Sequence, residues 1–140
     1  MTQNKEREAA CACGQLAIRL AGEPEVISSC HCLACQRRTG SLFGVHAFFR
    51  NDRVLAIRGE HRTYRRQADS GTWVEHKFCP TCGTTLCWER PSLPGMISVA
   101  VGAFADPGFG TPARTVWTES KHDWLSFPAG MPHFPKAPPA

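Results

Sequence analysis

Three cysteines lie within six residues in the run Cys30-His31-Cys32-Leu33-Ala34-Cys35. Cys30 and Cys32 are too close along the chain to form a relaxed disulfide with each other, whereas one metal ion can bind all three thiolates. Zinc takes four ligands, and in catalytic sites the open fourth position holds water or substrate. The run therefore predicts a metal site that could carry chemistry as well as support the fold.

Two further cysteine clusters flank this run, Cys11-Ala12-Cys13-Gly14 before it and Cys79-Pro80-Thr81-Cys82-Gly83 after it. The later cluster has the form of a zinc knuckle, which supplies two ligands, while a closed structural site needs four. The earlier cluster is the obvious donor of the other two thiols. We therefore pair the two clusters in one closed site, which would clamp the first strand to the middle of the chain.

The number of thiols limits how many closed sites can form. Clusters of two, three and two thiols cannot make two closed four-sulfur sites, because seven is one short. Pairing the outer clusters leaves Cys30, Cys32 and Cys35 as a separate set, and pairing Cys30 and Cys32 with the knuckle is the alternative. Either one site is open, or a histidine or Cys87 completes it.

The eighth cysteine and the histidines have simpler interpretations. Cys87 lies in a strand-like run, where a small buried hydrophobic residue is expected. A non-ligand role is favoured for each of the six histidines. His31 lies between two ligands, so its side chain should point away from their metal, and His46 and His122 are the ones to examine near an open zinc. Disulfides are the alternative for all the cysteines, but the C-x-C spacings disfavour them.

Composition limits the other functions. The 140 residues favour one domain over residues 1–140, with a core at about 9–135 and flexible termini. We see no signal peptide and no apolar stretch near the roughly 18 residues that span a membrane, so we expect a cytoplasmic protein with reduced thiols. The formal charge is +4. Two zinc ions and seven thiolates would reduce it to +1, because they add four positive and seven negative charges, which weakens a nucleic-acid function.

Short alternating apolar runs predict an all-β fold with short helical turns. We expect a loose tail over residues 1–9, one helical turn over 33–38 that stops at Gly40, and an extended or disordered end from Pro132 to Ala140. The segment Arg62-Thr63-Tyr64-Arg65-Arg66 is interpreted as a solvated edge strand, which leads into a hairpin turn at Ala68-Asp69-Ser70-Gly71. The predicted strands lie at 16–20, 26–27, 43–49, 54–58, 63–66, 72–78, 83–89 and 96–101.

The cysteine motifs and the C-terminal part of the chain resemble a known family. The chain contains Cys11-x-Cys13-Gly14, Cys30-His31-Cys32-x-x-Cys35-Gln36-Arg37-x-Thr39-Gly40 and Phe78-Cys79-x-x-Cys82-Gly83-Thr84, then Trp117-Thr118-Glu119-Ser120-Lys121, Trp124 and Gly130-Met131-Pro132-x-Phe134. In this order they resemble the glutathione-dependent formaldehyde-activating enzymes over roughly residues 9–135.

The resemblance implies a β-tent fold of packed antiparallel sheets with two zinc ions. Its structural zinc would be held by Cys11, Cys13, Cys79 and Cys82, and its active-site zinc by Cys30, Cys32 and Cys35. The implied activity is that of a carbon–sulfur lyase, which adds a thiol such as glutathione to formaldehyde or a related small aldehyde, or reverses that reaction.

Two points stay open in the sequence. A glutathione-like substrate needs cationic partners for its carboxylates, and Arg37 and Arg38 just after the ligand run are the candidates, with a plain surface role as the alternative.

The competing function is a non-catalytic, zinc-stabilised binding or scaffold module, in which both metals contribute folding energy only.

Overall fold

The structure is a computed structural model that describes residues 5–68 and 71–138. In these residues, short strands surround one α-helix, α1, which follows the third strand. The strands are β1 (Glu6–Ala10), β2 (Ala17–Ala21), β3 (Val26–Cys30), β4 (Gly44–Arg50), β5 (Val54–Arg58), β6 (Arg62–Gln67), β7 (Trp73–Phe78), β8 (Thr85–Glu89), β9 (Met96–Ala100) and β10 (Arg114–Val116), and α1 spans Leu33–Thr39. Three short 3₁₀ turns complete the regular structure, at Asn51–Arg53, Val101–Phe104 and Thr118–Ser120.

The strands form a small sheet in the order β1-β2-β5 and a large sheet in the order β10-β3-β4-β9-β8-β7-β6. All pairs are antiparallel except β10, which runs parallel to β3. The predicted all-β fold of packed antiparallel sheets with short helical turns is confirmed, with β10 as the exception to the antiparallel pattern.

The core lies where the two sheets pack against each other. Apolar side chains of β2, β4, β8 and β9 belong to one buried cluster, because the facing sides of both sheets are apolar. Its fully buried members include Leu16, Ile18, Leu20, Ala47, Phe49, Leu86, Cys87 and Val99. The expectation that Cys87 is a small buried hydrophobic residue fits this position.

The other face of the large sheet carries a row of larger and more polar side chains. Phe48, Ser98, Trp88, His76 and Tyr64 are register partners across β4, β9, β8, β7 and β6. Because alternate residues of a strand point to opposite faces, this row lies away from the core. It forms one wall of the site described below.

Local sequence signals place α1 where they predict a helical turn. Cys32 is the N-cap with extended backbone, and its sulfur accepts a hydrogen bond from the Cys35 amide. Gly40 is the C-cap with φ of 68°, and its amide donates to the Gln36 carbonyl. Glycine ends helices in this way because the left-handed conformation costs it little.

The expected loose tail over residues 1–9 is wrong for residues 6–9, which belong to β1. Ala9 is fully buried, and the strand pairs with β2 over its whole length. The sequence does not predict this strand, because three charged residues in a row, Glu6, Arg7 and Glu8, lack the apolar alternation that indicates a strand. Arg7 forms an ion pair with Glu23 at 2.6 Å, so charge pairing accompanies backbone pairing here.

The C-terminal residues that the structure describes are extended and are paired with the sheet. The Thr115 amide donates to the Pro132 carbonyl, and the Phe134 amide donates to the Thr115 carbonyl. These bonds cover the outer edge of β10, a short strand that periodicity did not predict. The opposite edge is β6, whose mostly exposed, charged side chains confirm the expected edge strand.

Of the predicted hairpin turn at 68–71, residues 69 and 70 lie outside the described residues, while β6 and β7 on either side of it pair as expected. Among residues 5–68 and 71–138, no helix has the length and apolar character needed to cross a membrane.

We predict that Gly59→Ala destabilises the protein by about 3 kcal/mol or more, an effect of the size seen when a buried contact is broken. Gly59 has φ of 97°, and a Cβ there would lie 1.8 Å from the Gln15 carbonyl oxygen. Gly95→Ala is the matched control, because its φ is 75° but nothing lies within 4 Å, so it should cost only about 1–2 kcal/mol. Denaturant unfolding of both variants measures the difference, and equal losses would contradict the predicted clash.

Candidate active site and metal centres

The first group of thiols forms where two hairpin turns meet. Cys11 and Cys13 lie between β1 and β2, and Cys79 and Cys82 lie between β7 and β8. Their four sulfurs all lie within 4.8 Å of one another. The turns belong to different sheets, so this group joins the small sheet to the large one.

The sulfur positions fit a tetrahedral zinc ion. Four sulfurs at about 2.3 Å from zinc lie about 3.8 Å apart. The separations found are 3.6 Å between the Cys11 and Cys13 sulfurs and 3.7 Å between the Cys13 and Cys79 sulfurs. The chemistry and spacing of this donor set therefore suit zinc.

Hydrogen-bond donors surround the same sulfurs. The Leu16 amide donates to the Cys11 sulfur at 3.3 Å, and the Thr81 amide donates to the Cys79 sulfur at 3.3 Å. The side-chain amide of Gln15 donates to the Cys79 sulfur at 3.0 Å. Such donors stabilise thiolates and hold metal ligands in position.

The second group consists of Cys30, Cys32 and Cys35, whose sulfurs also lie within 4.8 Å of one another. Cys30 ends β3, Cys32 caps α1, and Cys35 is buried in the first turn of that helix. Within the described part of the chain, this group has three members. Three thiols on a strand end and a helix start can hold one metal ion and leave one coordination position free.

The structure thus forms two separate thiol groups, which are the two sets into which we divided the cysteines. The alternative pairing of Cys30 and Cys32 with the knuckle does not form. Cys87 belongs to neither set, and all eight cysteines are free thiols. That both sets bind zinc, and that one zinc is structural and the other catalytic, stays a prediction.

A cavity of about 140 Å³ opens directly beside the second thiol set. Its other walls come from α1 and from the row of side chains on the outer face of the large sheet. Besides the three cysteines, its lining residues include Arg38, His46, Phe48, Arg66, Val74, His76, Trp88, Arg90 and Trp117.

Arg38, one of the two candidates for contact with a substrate carboxylate, lines this cavity. Its guanidinium lies over the Trp88 ring at 4.2 Å from the ring centre, and its Nη2 lies 3.4 Å from Nε2 of His46. Gly44 makes room for it, since a Cβ there would lie 2.5 Å from Nη2 of Arg38. Arg37 is exposed and lines a neighbouring outer cleft, and it is not among the residues that line the cavity beside the thiols.

Two further arginines, Arg66 and Arg90, line the cavity, and the sequence did not predict this role for either of them. Arg66 was assigned to the solvated edge strand, yet its side chain is half-buried and faces the cavity. Arg90 follows β8. None of the three cavity arginines forms an ion pair with a carboxylate of residues 5–68 or 71–138. Only the pairing of β6 with β7 reveals Arg66 as a cavity residue, and no local motif marks it.

Comparison with known proteins identifies the family of the chain. The sequence model of the family described as "Glutathione-dependent formaldehyde-activating enzyme" matches residues 6–120. The chain belongs to this family. A crystal structure of a protein from Rhodobacter sphaeroides is similar, with 27% identity, a TM-score of 0.50, and coverage of 69% of this chain and 85% of that one. No curated protein matched the chain.

Burial and local hydrogen bonds set the protonation states at the site of this family member. Hydrogen bonds from Cys30 and Cys35 lower the pKa of Cys32 to about 2, so the first thiolate of the set forms there. Burial lowers the pKa of His46 to about 3 and that of His76 to about 4. Both imidazoles are therefore neutral near pH 7.

The two histidines singled out for an open zinc have different positions. Nε2 of His46 lies 3.6 Å from the Cys35 sulfur, inside the cavity. Nε2 of His122 is instead paired with Oε1 of Gln36 at 3.1 Å. The side-chain amide of Gln36 also donates to the carbonyls of His31 and Ser120, at 2.9 and 3.0 Å. In this family member, Gln36 thus connects the segment that carries the second thiol set to the C-terminal segment at Ser120 and His122 through hydrogen bonds.

We predict that Cys79→Ser lowers the zinc content of this family member from two ions per chain to one. The free energy of unfolding should fall by about 4 kcal/mol or more, because the lost metal joins two sheets. Cys87→Ser is the matched control: it should keep both ions and cost about 1–3 kcal/mol for a buried hydroxyl. Elemental analysis and denaturant unfolding measure both quantities, and a Cys79→Ser protein that keeps two ions would contradict the assignment.

Proposed function

We propose that this chain is a zinc-dependent carbon–sulfur lyase that adds a glutathione-like thiol to formaldehyde or a related small aldehyde, or catalyses the reverse. The observation that carries the proposal is the three-thiol set opening on a cavity lined by three arginines, none of which forms an ion pair with a carboxylate of the described residues. Family membership supports the same reaction. We also propose a cytoplasmic location, where thiols stay reduced.

Cys30, Cys32 and Cys35 would hold the catalytic zinc, and Cys11, Cys13, Cys79 and Cys82 the structural one. Zinc bound by three cysteines would keep a substrate thiol in its nucleophilic thiolate form near neutral pH. Three thiolate ligands already donate charge to the metal, so this site suits thiolate delivery better than water activation.

The charges around the cavity favour an anionic thiol. A zinc ion with three thiolates carries a net charge of −1, whereas Arg38, Arg66 and Arg90 together contribute +3. The cavity therefore remains positive and attracts carboxylates, which glutathione has at both ends. Guanidinium groups suit this task because their planar donors match the two oxygens of a carboxylate.

The remaining cavity residues position the charged ones and limit water. Trp88 supports the Arg38 guanidinium, and the neutral imidazole of His46 lies between Arg38 and the Cys35 sulfur. Phe48 and Val74 add apolar walls, which strengthen the electrostatic interactions inside. In the reaction a bond forms between the thiol sulfur and the aldehyde carbon, and the thiol proton is transferred to the aldehyde oxygen. The reverse reaction releases both reactants.

We expect Cys35→Ser to lose one zinc ion and to keep its fold, since the other zinc joins the sheets. The rate of thiol–formaldehyde adduct formation should fall by more than about 100-fold, because even changes to residues that support metal ligands cost about 10–100-fold. NMR with ¹³C-formaldehyde and glutathione measures the rate, and Cys87→Ser serves as the control with full zinc content. Unfolding of Cys35→Ser together with the metal loss would support the scaffold function. An unmutated protein inactive with every thiol tested would rule out the lyase.

The role of the arginines is tested with two thiols. Arg38→Met should raise KM for glutathione by roughly 10–100-fold with little change in kcat, since a hydrogen bond to a charged group contributes about 1.5–3 kcal/mol. The same variant should leave KM for 2-mercaptoethanol, which has no carboxylate, unchanged. Arg37→Met is the matched control, because Arg37 is exposed outside the cavity. Equal effects of the two substitutions on glutathione would argue against a carboxylate contact by Arg38.

A further inference from the structure

The outer cleft, of about 380 Å³, adjoins the cavity beside the second thiol set. The two spaces share four lining residues, Ala34, Arg38, Arg66 and His76. Two of these residues come from α1, and the other two come from β6 and β7. The cleft therefore lies between the helix and the β6 end of the large sheet, next to the thiols.

The cavity beside the thiols is too small to hold a peptide-sized thiol by itself. Its volume of about 140 Å³ lies below the range of roughly 300–1,000 Å³ that is usual for ligand sites. The outer cleft lies within that range. A peptide-sized thiol whose sulfur lies at the second thiol set can therefore place only the part around the sulfur in the cavity, and the rest has to occupy an adjoining space.

The side chains of the outer cleft suit an anionic group. No Asp or Glu of residues 5–68 and 71–138 lines it. Arg66 is half-buried there, and its Nη1 donates to the Gln67 carbonyl at 3.4 Å. It forms no ion pair with a carboxylate of the described residues. Its remaining guanidinium donors match the two oxygens of a carboxylate.

Tyr64 places a second donor in the same cleft. It lies two positions before Arg66 on β6, so both side chains are on the same face of the sheet. The Tyr64 ring stacks on His76 with ring centres 6.3 Å apart, and the residue is 60% exposed. The stacking holds the ring beside the cleft, where its hydroxyl can donate to an anion bound at Arg66.

Arg37 also lines the outer cleft, from α1. Its side chain is exposed, and an exposed charge contributes little to an ion pair because water and salt screen it. The half-buried Arg66 is therefore the stronger cationic partner in the cleft, and Arg37→Met remains a suitable control for Arg38→Met.

We propose that the outer cleft is a second subsite for the substrate thiol, where Arg66 and Tyr64 bind a carboxylate distant from the sulfur. This inference rests on the proposed lyase function and specifies its substrate class: peptide-sized thiols with a remote carboxylate, in preference to short thiols that fit into the cavity alone. The subsite makes Tyr64 a specificity residue that does not contact the reacting atoms.

A binding experiment tests the subsite without the reaction. The probe is S-methylglutathione, which keeps both carboxylates and has no free thiol, titrated into the full-length, zinc-loaded, ¹⁵N-labelled protein. The NMR signals of Ala34, Tyr64 and Arg66 should shift. Arg66→Met should weaken binding about 10-fold, the size of one hydrogen bond to a charged group, and Tyr64→Phe about 3-fold, because the ring is exposed. Thr63→Val, on the opposite face of β6, is the matched control and should bind as the unmutated protein does.

Kinetics with two thiols test the specificity. Tyr64→Phe should raise KM for glutathione about 3-fold without changing kcat, and should leave KM for N-acetylcysteine, whose one carboxylate is close to the sulfur, unchanged. Equal changes in KM for both thiols, or β6 signals that S-methylglutathione does not shift, would overturn the subsite and leave the lyase function intact. Inactivity with every thiol would instead refute the lyase, and the titration would still decide whether the cleft binds the probe.

Discussion

The convergence of four cysteines from two hairpin turns is the constraint on which the rest of the structure depends. The β1–β2 turn belongs to the small sheet and the β7–β8 turn to the large one, so contact among their sulfurs fixes how the sheets pack. A core of short strands with many turns has limited apolar area to stabilise that packing. A metal ion at this point would add a cross-link between the two sheets.

Sheet packing also decides where chemistry can occur. One face of the large sheet is used for the core, so its other face is free to present Phe48, Trp88 and His76 to the second thiol set. Helix α1 covers one end of that face and brings Cys35 and Arg38 to it, one turn apart. Negative thiolates and positive guanidinium groups are thus placed within one small cavity, where low water content strengthens their interaction.

The same short run of sequence serves two environments. In the extended segment from Cys30 to Cys32, alternation directs two thiols to the charged cavity and the imidazole between them to an apolar one. On the apolar side, the imidazole contacts the rings of Phe43 and Phe127.

Much of the fold and half of the site follow from the sequence. The spacings within each cysteine cluster predicted local thiol groups, and Gly40 predicted the end of α1, because these signals act over a few residues. The count of seven thiols favoured pairing the first and third clusters and leaving three thiols apart, and the structure groups them in this way. The sequence missed β1 and β10, whose pairing depends on backbone partners rather than on apolar alternation. Only the tertiary structure decided that Arg66 and Arg90 face the cavity and Arg37 does not, because strand register, set by distant residues, determines which side chains share a face.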